Sequence, residues 1–194
     1  MPLTRVRTGG ITDNAVNDAK FDTANTSLST ILDPVSASGS SVLYLTGIPT
    51  TATRVTLTWY YLSQSSTTRV FMRLGHAGGL FTSGYYTKRG DIYDSSNSGG
   101  SYDSNDSYLA LDDWTNAANQ FICTYEFTAF DRTSTDRVWH YRTQILNPGY
   151  TQYVIFVTGF VACGDKSSTP LSRIVVYTED GANFDAGTLQ LKYS

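Results

Sequence analysis

Only two histidines, His76 and His140, could act as general bases for a serine or cysteine nucleophile, and neither sits in a nucleophilic motif. His140 lies in the run Val138-Trp-His-Tyr141. There, period-two geometry puts it on the face opposite Trp139 and Tyr141, as a sheet-surface residue. His76 lies in Leu74-Gly-His-Ala-Gly-Gly79, where the glycines allow either a close backbone approach to a ligand or a simple turn. There is no Gly-x-Ser-x-Gly elbow and no phosphate-binding loop ending in Lys-Ser/Thr. Asp91, Asp94, Asp103, Asp106, Asp112 and Asp113 are carboxylates that could pair for glycoside hydrolysis, yet short acidic side chains are also what turns are made of. Asp103-Ser-Asn-Asp106 gathers hard oxygens but lacks the spacing and terminal Glu of a calcium hand, and no Cys/His spacing suits zinc. The expectation is no catalytic residue, no metal and no cofactor.

Aromatic chemistry is better represented. Tyr85, Tyr86, Tyr93, Tyr102 and Trp114 are spread among Asn, Asp and Ser between Gly75 and Asn119. Flat amphipathic rings with short polar neighbours make contact surfaces at low entropic cost, and these five are the candidate glycan contacts. The same rings could instead pack against the body or a neighbouring subunit.

The elements that would position them are strands. Serine, threonine, glycine, asparagine and tyrosine dominate the 194 residues, and helix formers are few. Runs of β-branched and aromatic residues bounded by turns occur at 42–46, 54–61, 69–74, 120–128, 137–142, 153–158, 172–177 and 188–193, with weaker ones at 84–88 and 108–111. Within 54–61 the alternation puts Val55, Leu57, Trp59 and Tyr61 on one face. The polar turn 63–68 suggests a hairpin between the strands that flank it. The fold expected is all-β, a two-sheet antiparallel sandwich of jelly-roll type over residues 42–194, with 75–119 as a long outward loop.

Residues 1–41 differ in composition and read as an extended N-terminal arm, with room for a short helix over 11–20 behind Asp13. Net charge is -3 and Lys and Arg form no run, which excludes the basic footprint of a nucleic-acid binder. No stretch reaches the ~20 apolar residues of a membrane span, and the first residues lack a secretory apolar core, so a soluble chain made in the cytosol is expected. Cys123 and Cys163, within or beside apolar runs, read as buried free thiols rather than as a disulfide.

Several short motifs recur together in an order seen elsewhere. Leu45-Thr-Gly-Ile-Pro49 precedes Arg54-Val-Thr-Leu57; Met72-Arg-Leu-Gly75, Gly79 and Ser83-Gly-Tyr85 follow. Leu171-Ser-Arg-Ile-Val175 then leads to Asn183-Phe-Asp-Ala-Gly187-Thr-Leu-Gln-Leu191. As a set, these resemble a β-sandwich domain of phage tail-fibre and other virion structural proteins. Ile11 to Phe21 is similar to connector segments of phage fibre proteins. The chain departs from the pattern in its longer Asp91–Asp113 stretch and in ending on Lys192-Tyr-Ser194. The resemblance implies a non-enzymatic β-sandwich at or near the surface of a phage particle, commonly a homotrimer and often involved in host attachment. The leading expectation is that the arm, carrying Ile11, Val16 and Phe21, docks to other virion proteins while the 75–119 loop attaches to a bacterial surface glycan. A capsid decoration protein with a clamping arm is the alternative reading, and a small glycan hydrolase a minor one.

Overall fold

The computed structural model describes residues 29–93, 96–98, 102–112, 120–133, 136–146, 154–162 and 170–194. These form fifteen strands and no helix. In chain order they are β1 (Thr30–Ile31), β2 (Val35–Ser36), β3 (Val42–Thr46), β4 (Arg54–Gln64), β5 (Val70–His76), β6 (Gly79–Leu80), β7 (Tyr85–Tyr93) and β8 (Ser96–Ser98). They continue with β9 (Tyr102–Asp106), β10 (Leu109–Asp112), β11 (Phe121–Thr133), β12 (Asp136–Leu146), β13 (Val154–Ala162), β14 (Arg173–Thr178) and β15 (Phe184–Tyr193).

Two antiparallel sheets result. The larger runs β1-β15-β4-β11-β12-β13-β7-β8, with β2 also on β15 and β9 also on β7. The smaller runs β10-β5-β14-β3, with β6 on β5. Eight of these strands have jelly-roll connectivity: β1-β15-β4-β11 faces β3-β14-β5-β10, and successive elements cross between sheets except β5 to β10, which pair. Apart from β6, the remaining strands widen only the larger sheet. β12 and β13 continue it past β11 as a meander, β7 adds beyond β13, and β8 and β9 both pair along β7.

One-sided burial explains why these residues make strands. In β4, Val55, Leu57 and Trp59 point inward while Arg54 and Tyr60 stay exposed; in β11 and β12, Tyr125, Phe127, Trp139 and Tyr141 do the same against outward Thr128, His140 and Arg142. The inner faces meet Leu43, Leu45, Met72, Leu74, Ile174 and Val176 of the smaller sheet. Each such side chain contributes roughly 1.5–3 kcal/mol on burial. Cys123 belongs to this core as a free thiol, and burial pushes its pKa well up; Cys163 lies outside the described residues.

The structure corrects several expectations. β4 and β5 are not a hairpin, since they lie in different sheets. The turn between them crosses the sandwich, with Ser65 N bonded to Asn183 O, Gln64 Nε2 to Thr68 O and Glu179 N to Arg69 O. Nor does the sandwich begin at residue 42: Thr30, Ile31, Val35 and Ser36 pair with β15, and Ala37 is fully buried, so part of the expected arm is an edge of the larger sheet. The candidate helix at 11–20 and the arm residues Ile11, Val16 and Phe21 lie outside the described residues. Within the expected loop 75–119 the described residues are largely strand, because β13 pairs with β7 and β7 offers a ladder to β8 and β9 that outweighs the weak strand propensity of their Ser, Asn and Asp.

Tyr61 does not share the face of Trp59. A bulge, marked by the register shift from Cys123↔Trp59 to Phe121↔Leu62, turns Tyr61 outward with φ 53°, and it is 52% exposed. Gly187 lies against this bulge, where a β-carbon would be 2.7 Å from Leu62 Cα.

Candidate functional site

Sheet register assembles an aromatic surface that no single segment announces. Cross-strand pairing lines up Arg54, Thr128, His140, Phe160 and Tyr86 in one row running from β4 through β11, β12 and β13 to β7. The next row, two residues along each strand, holds Lys192, Thr56, Glu126, Arg142 and Thr158. On the other side of the first row, Phe130 pairs with Val138. All belong to the outward parity of the larger sheet, opposite the core residues Phe127, Trp139, Tyr141 and Val161.

The rings are exposed and organised. Phe130 is 56% and Phe160 41% exposed, and further along the same face Phe156 and Leu146 are also exposed. Tyr86 stacks on Phe160 with centroids 4.5 Å apart and planes 20° from parallel. Phe130 meets His140 edge-on at 6.2 Å. His140 Nε2 is 3.3 Å from Thr158 Oγ1, whose hydroxyl also reaches Tyr141 O at 3.2 Å. Arg142 Nε donates to Glu126 Oε2, with 73% of the arginine side chain exposed. An exposed pair of this kind adds about 0–1 kcal/mol to stability, so its placement beside the rings is not required by the fold.

Glycine and tyrosine support the platform from beneath. At Gly159 a β-carbon would overlap the Tyr86 carbonyl oxygen and lie 2.6 Å from Tyr141 Oη, so only glycine lets β7 come this close to β13. The Tyr141 ring occupies the space instead, and its hydroxyl shares a hydrogen bond of 2.6 Å with Thr87 Oγ1. This fixes β7, and therefore Tyr86, against the neighbouring strand.

Of the five expected aromatic contacts, Tyr86 is the one whose described side chain lies on this surface. Tyr85 is fully buried: its hydroxyl accepts from Leu74 N at 2.9 Å and donates to Phe81 O at 3.1 Å, pinning the larger sheet to the smaller. It cannot meet a ligand from solvent. Neighbouring residues of a strand face opposite ways, so one of the Tyr85/Tyr86 pair had to be internal. Tyr93 and Tyr102 belong to β7 and β9, opposite Ser96 and Lys88 respectively. Trp114 lies outside the described residues.

The carboxylates do not share one loop. Asp91, Asp103 and Asp106 sit along β7 and its partners, Asp112 pairs with Val70 in the other sheet, and Asp94 and Asp113 lie outside the described residues. His76 closes the turn after β5, its Nδ1 accepting from Gly78 N at 3.1 Å and its carbonyl held by Arg173 at 2.6 and 2.9 Å. Among the described residues no three His, Cys, Asp or Glu side chains converge as metal ligands, and no helix is long and apolar enough to cross a membrane.

Phe130 and Phe160 are the functional candidates that sequence reasoning missed. Both lie just past the expected strand ends, at 128 and 158, and extending the period-two pattern by two residues would have placed them beside Thr128 and Thr158. No protein-family model, curated protein or solved structure matches this chain.

Proposed function

We propose that the chain is a non-catalytic virion structural protein of a phage, tail-associated, whose sandwich attaches reversibly to a glycan on the bacterial surface through the outer face of β11, β12, β13 and β7. The observation that carries the binding half of this reading is the row of half-buried Tyr86 with exposed Phe160 and His140, flanked by Thr128, Thr158, Arg142 and Glu126. A pyranose has an apolar C–H face that stacks on such rings and a rim of hydroxyls that the flanking polar groups can meet. A flat sheet surface gives each sugar few contacts, so affinity per copy is low. Association into a trimer would convert later contacts into intramolecular ones and raise avidity by two to four orders of magnitude. The virion half is supported by the resemblance of the 45–57, 72–85 and 171–191 motifs to phage virion proteins.

A second reading, a capsid decoration protein, is favoured by the same apolar residues if a neighbouring subunit covers Phe130 and Phe160. Two experiments separate them. Immunogold labelling of intact virions places the protein on the tail in the first reading and over the head in the second. A glycan microarray probed with the native chain and with Phe160→Ala gives signal that the substitution removes, with no release of reducing sugar. Absence of any glycan signal, together with a Phe130→Ser variant that falls from oligomer to monomer in gel filtration, would overturn attachment in favour of a subunit interface.

A further inference from the structure

Charge on the aromatic face runs against the charge of the chain. The whole sequence carries -3, yet the side chains described on the two central rows are Arg54, Arg142 and Lys192 against the single carboxylate of Glu126, a balance of +2, with His140 among them. Arg54, Arg142, Lys192 and His140 are all exposed. The Glu126 contact holds the Arg142 guanidinium through Nε. Its two terminal nitrogens make no hydrogen bond among the described residues and stay directed to solvent. A guanidinium fixed at one edge and open at the other is a ready fork for a bidentate oxyanion. It stands one row from Phe160, about 7 Å along the sheet, which is within the span of one sugar ring and its charged substituent.

We infer that the ligand of this face is an anionic glycan, in which a sugar ring stacks on the Tyr86–Phe160 pair and its carboxylate or phosphate is held by Arg142. This rests on the glycan-binding reading above and narrows it to a substrate class. Glu126 then has two roles. It orients the guanidinium, and it competes with the incoming anion for it.

Affinity electrophoresis in native gels tests the inference, with dextran, polygalacturonate or poly(glycerol phosphate) embedded in the matrix. The expected result is retardation by an anionic polymer and none by dextran, with apparent affinity falling about tenfold between low salt and 0.5 M NaCl as the charges are screened. Arg142→Gln should weaken retardation about five- to tenfold at an unchanged melting temperature, Arg142→Lys should restore part of it, and Glu126→Gln should not weaken it. Retardation by polygalacturonate alone identifies a carboxylate ligand, and by poly(glycerol phosphate) alone a phosphate ligand. Dextran retardation that Phe160→Ala abolishes and Arg142→Gln leaves intact would overturn the anionic class while sparing glycan binding. No retardation by any of the three polymers would overturn the inference, and a positive microarray with neutral glycans would still preserve the broader reading.

Discussion

Removing one oxygen from Tyr85 separates a structural tyrosine from a binding one. The Tyr85 hydroxyl accepts the Leu74 amide at 2.9 Å and donates to Phe81 O at 3.1 Å, and the side chain is fully buried between the sheets. In Tyr85→Phe the ring and its packing remain, while the Leu74 N–H loses this acceptor inside the core. An orphaned buried backbone donor costs roughly 1–3 kcal/mol. For a chain of this size each kcal/mol moves the melting temperature by about 2–4 °C, so a decrease of roughly 2–12 °C is expected. Calorimetry or urea denaturation monitored by circular dichroism reads the change, and glycan retardation measured below the transition should be unaltered. A variant as stable as the native chain would refute the pinning role. A variant of native stability that no longer binds would return Tyr85 to the ligand surface.

Gly159→Ala forces a β-carbon onto the Tyr86 carbonyl and the Tyr141 hydroxyl; overpacking of this kind costs about 1–3 kcal/mol, and the variant should melt lower and lose glycan retardation together. In a Cys163→Ser background, Cys123 should resist a thiol reagent at pH 8 in the native protein and react fully in denaturant, because burial disfavours its thiolate; prompt native reaction would contradict that burial. The Asp180 carboxyl is held below its usual value first by the Ala182 amide at 2.9 Å, then by the Thr68 and Ser66 hydroxyls. Its contribution is therefore complete above the unfolded carboxyl value of about 4 and is lost as pH falls through the lower native value. Asp180→Asn should lower stability at pH 7 and flatten the acid limb of the pH–stability curve. An unchanged limb would remove this residue from the acid response.

Strong period-two runs made the sandwich legible in the sequence. The run Val55-Thr-Leu-Thr-Trp59 and the segment 172–177 alternate or concentrate apolar residues as buried strands must, and both became central strands. What the residues could not convey was pairing. The 63–68 turn looks like a hairpin loop, yet β4 and β5 part to opposite sheets because β4 buries more by lying between β15 and β11. β8 and β9 are built largely from Ser, Asn and Asp, whose intrinsic preference is for turns, and they become strand by pairing along β7, which is itself held by the ladder of β13. Tyr61 was misplaced because a bulge changes parity without any local signal in a Trp-Tyr-Tyr run.

The candidate site was legible in character and displaced in position. An excess of tyrosine pointed to an aromatic contact surface, and Tyr86 belongs to one. Its partners come from strands 40 to 75 residues away in sequence, which only sheet register brings together: Phe130 on β11, His140 on β12 and Phe160 on β13.

The central claim, that the outer face of β11, β12, β13 and β7 is the ligand surface, is tested most directly by hydroxyl-radical footprinting of the chain alone and saturated with the polymer that retards it most. Oxidation of Tyr86, Phe130 and Phe160 should fall several-fold on binding, while Tyr44, 61% exposed on β3 of the other sheet, is oxidised as before. Protection of Tyr44 with Phe160 unaffected would contradict it and move the ligand to the opposite side of the sandwich.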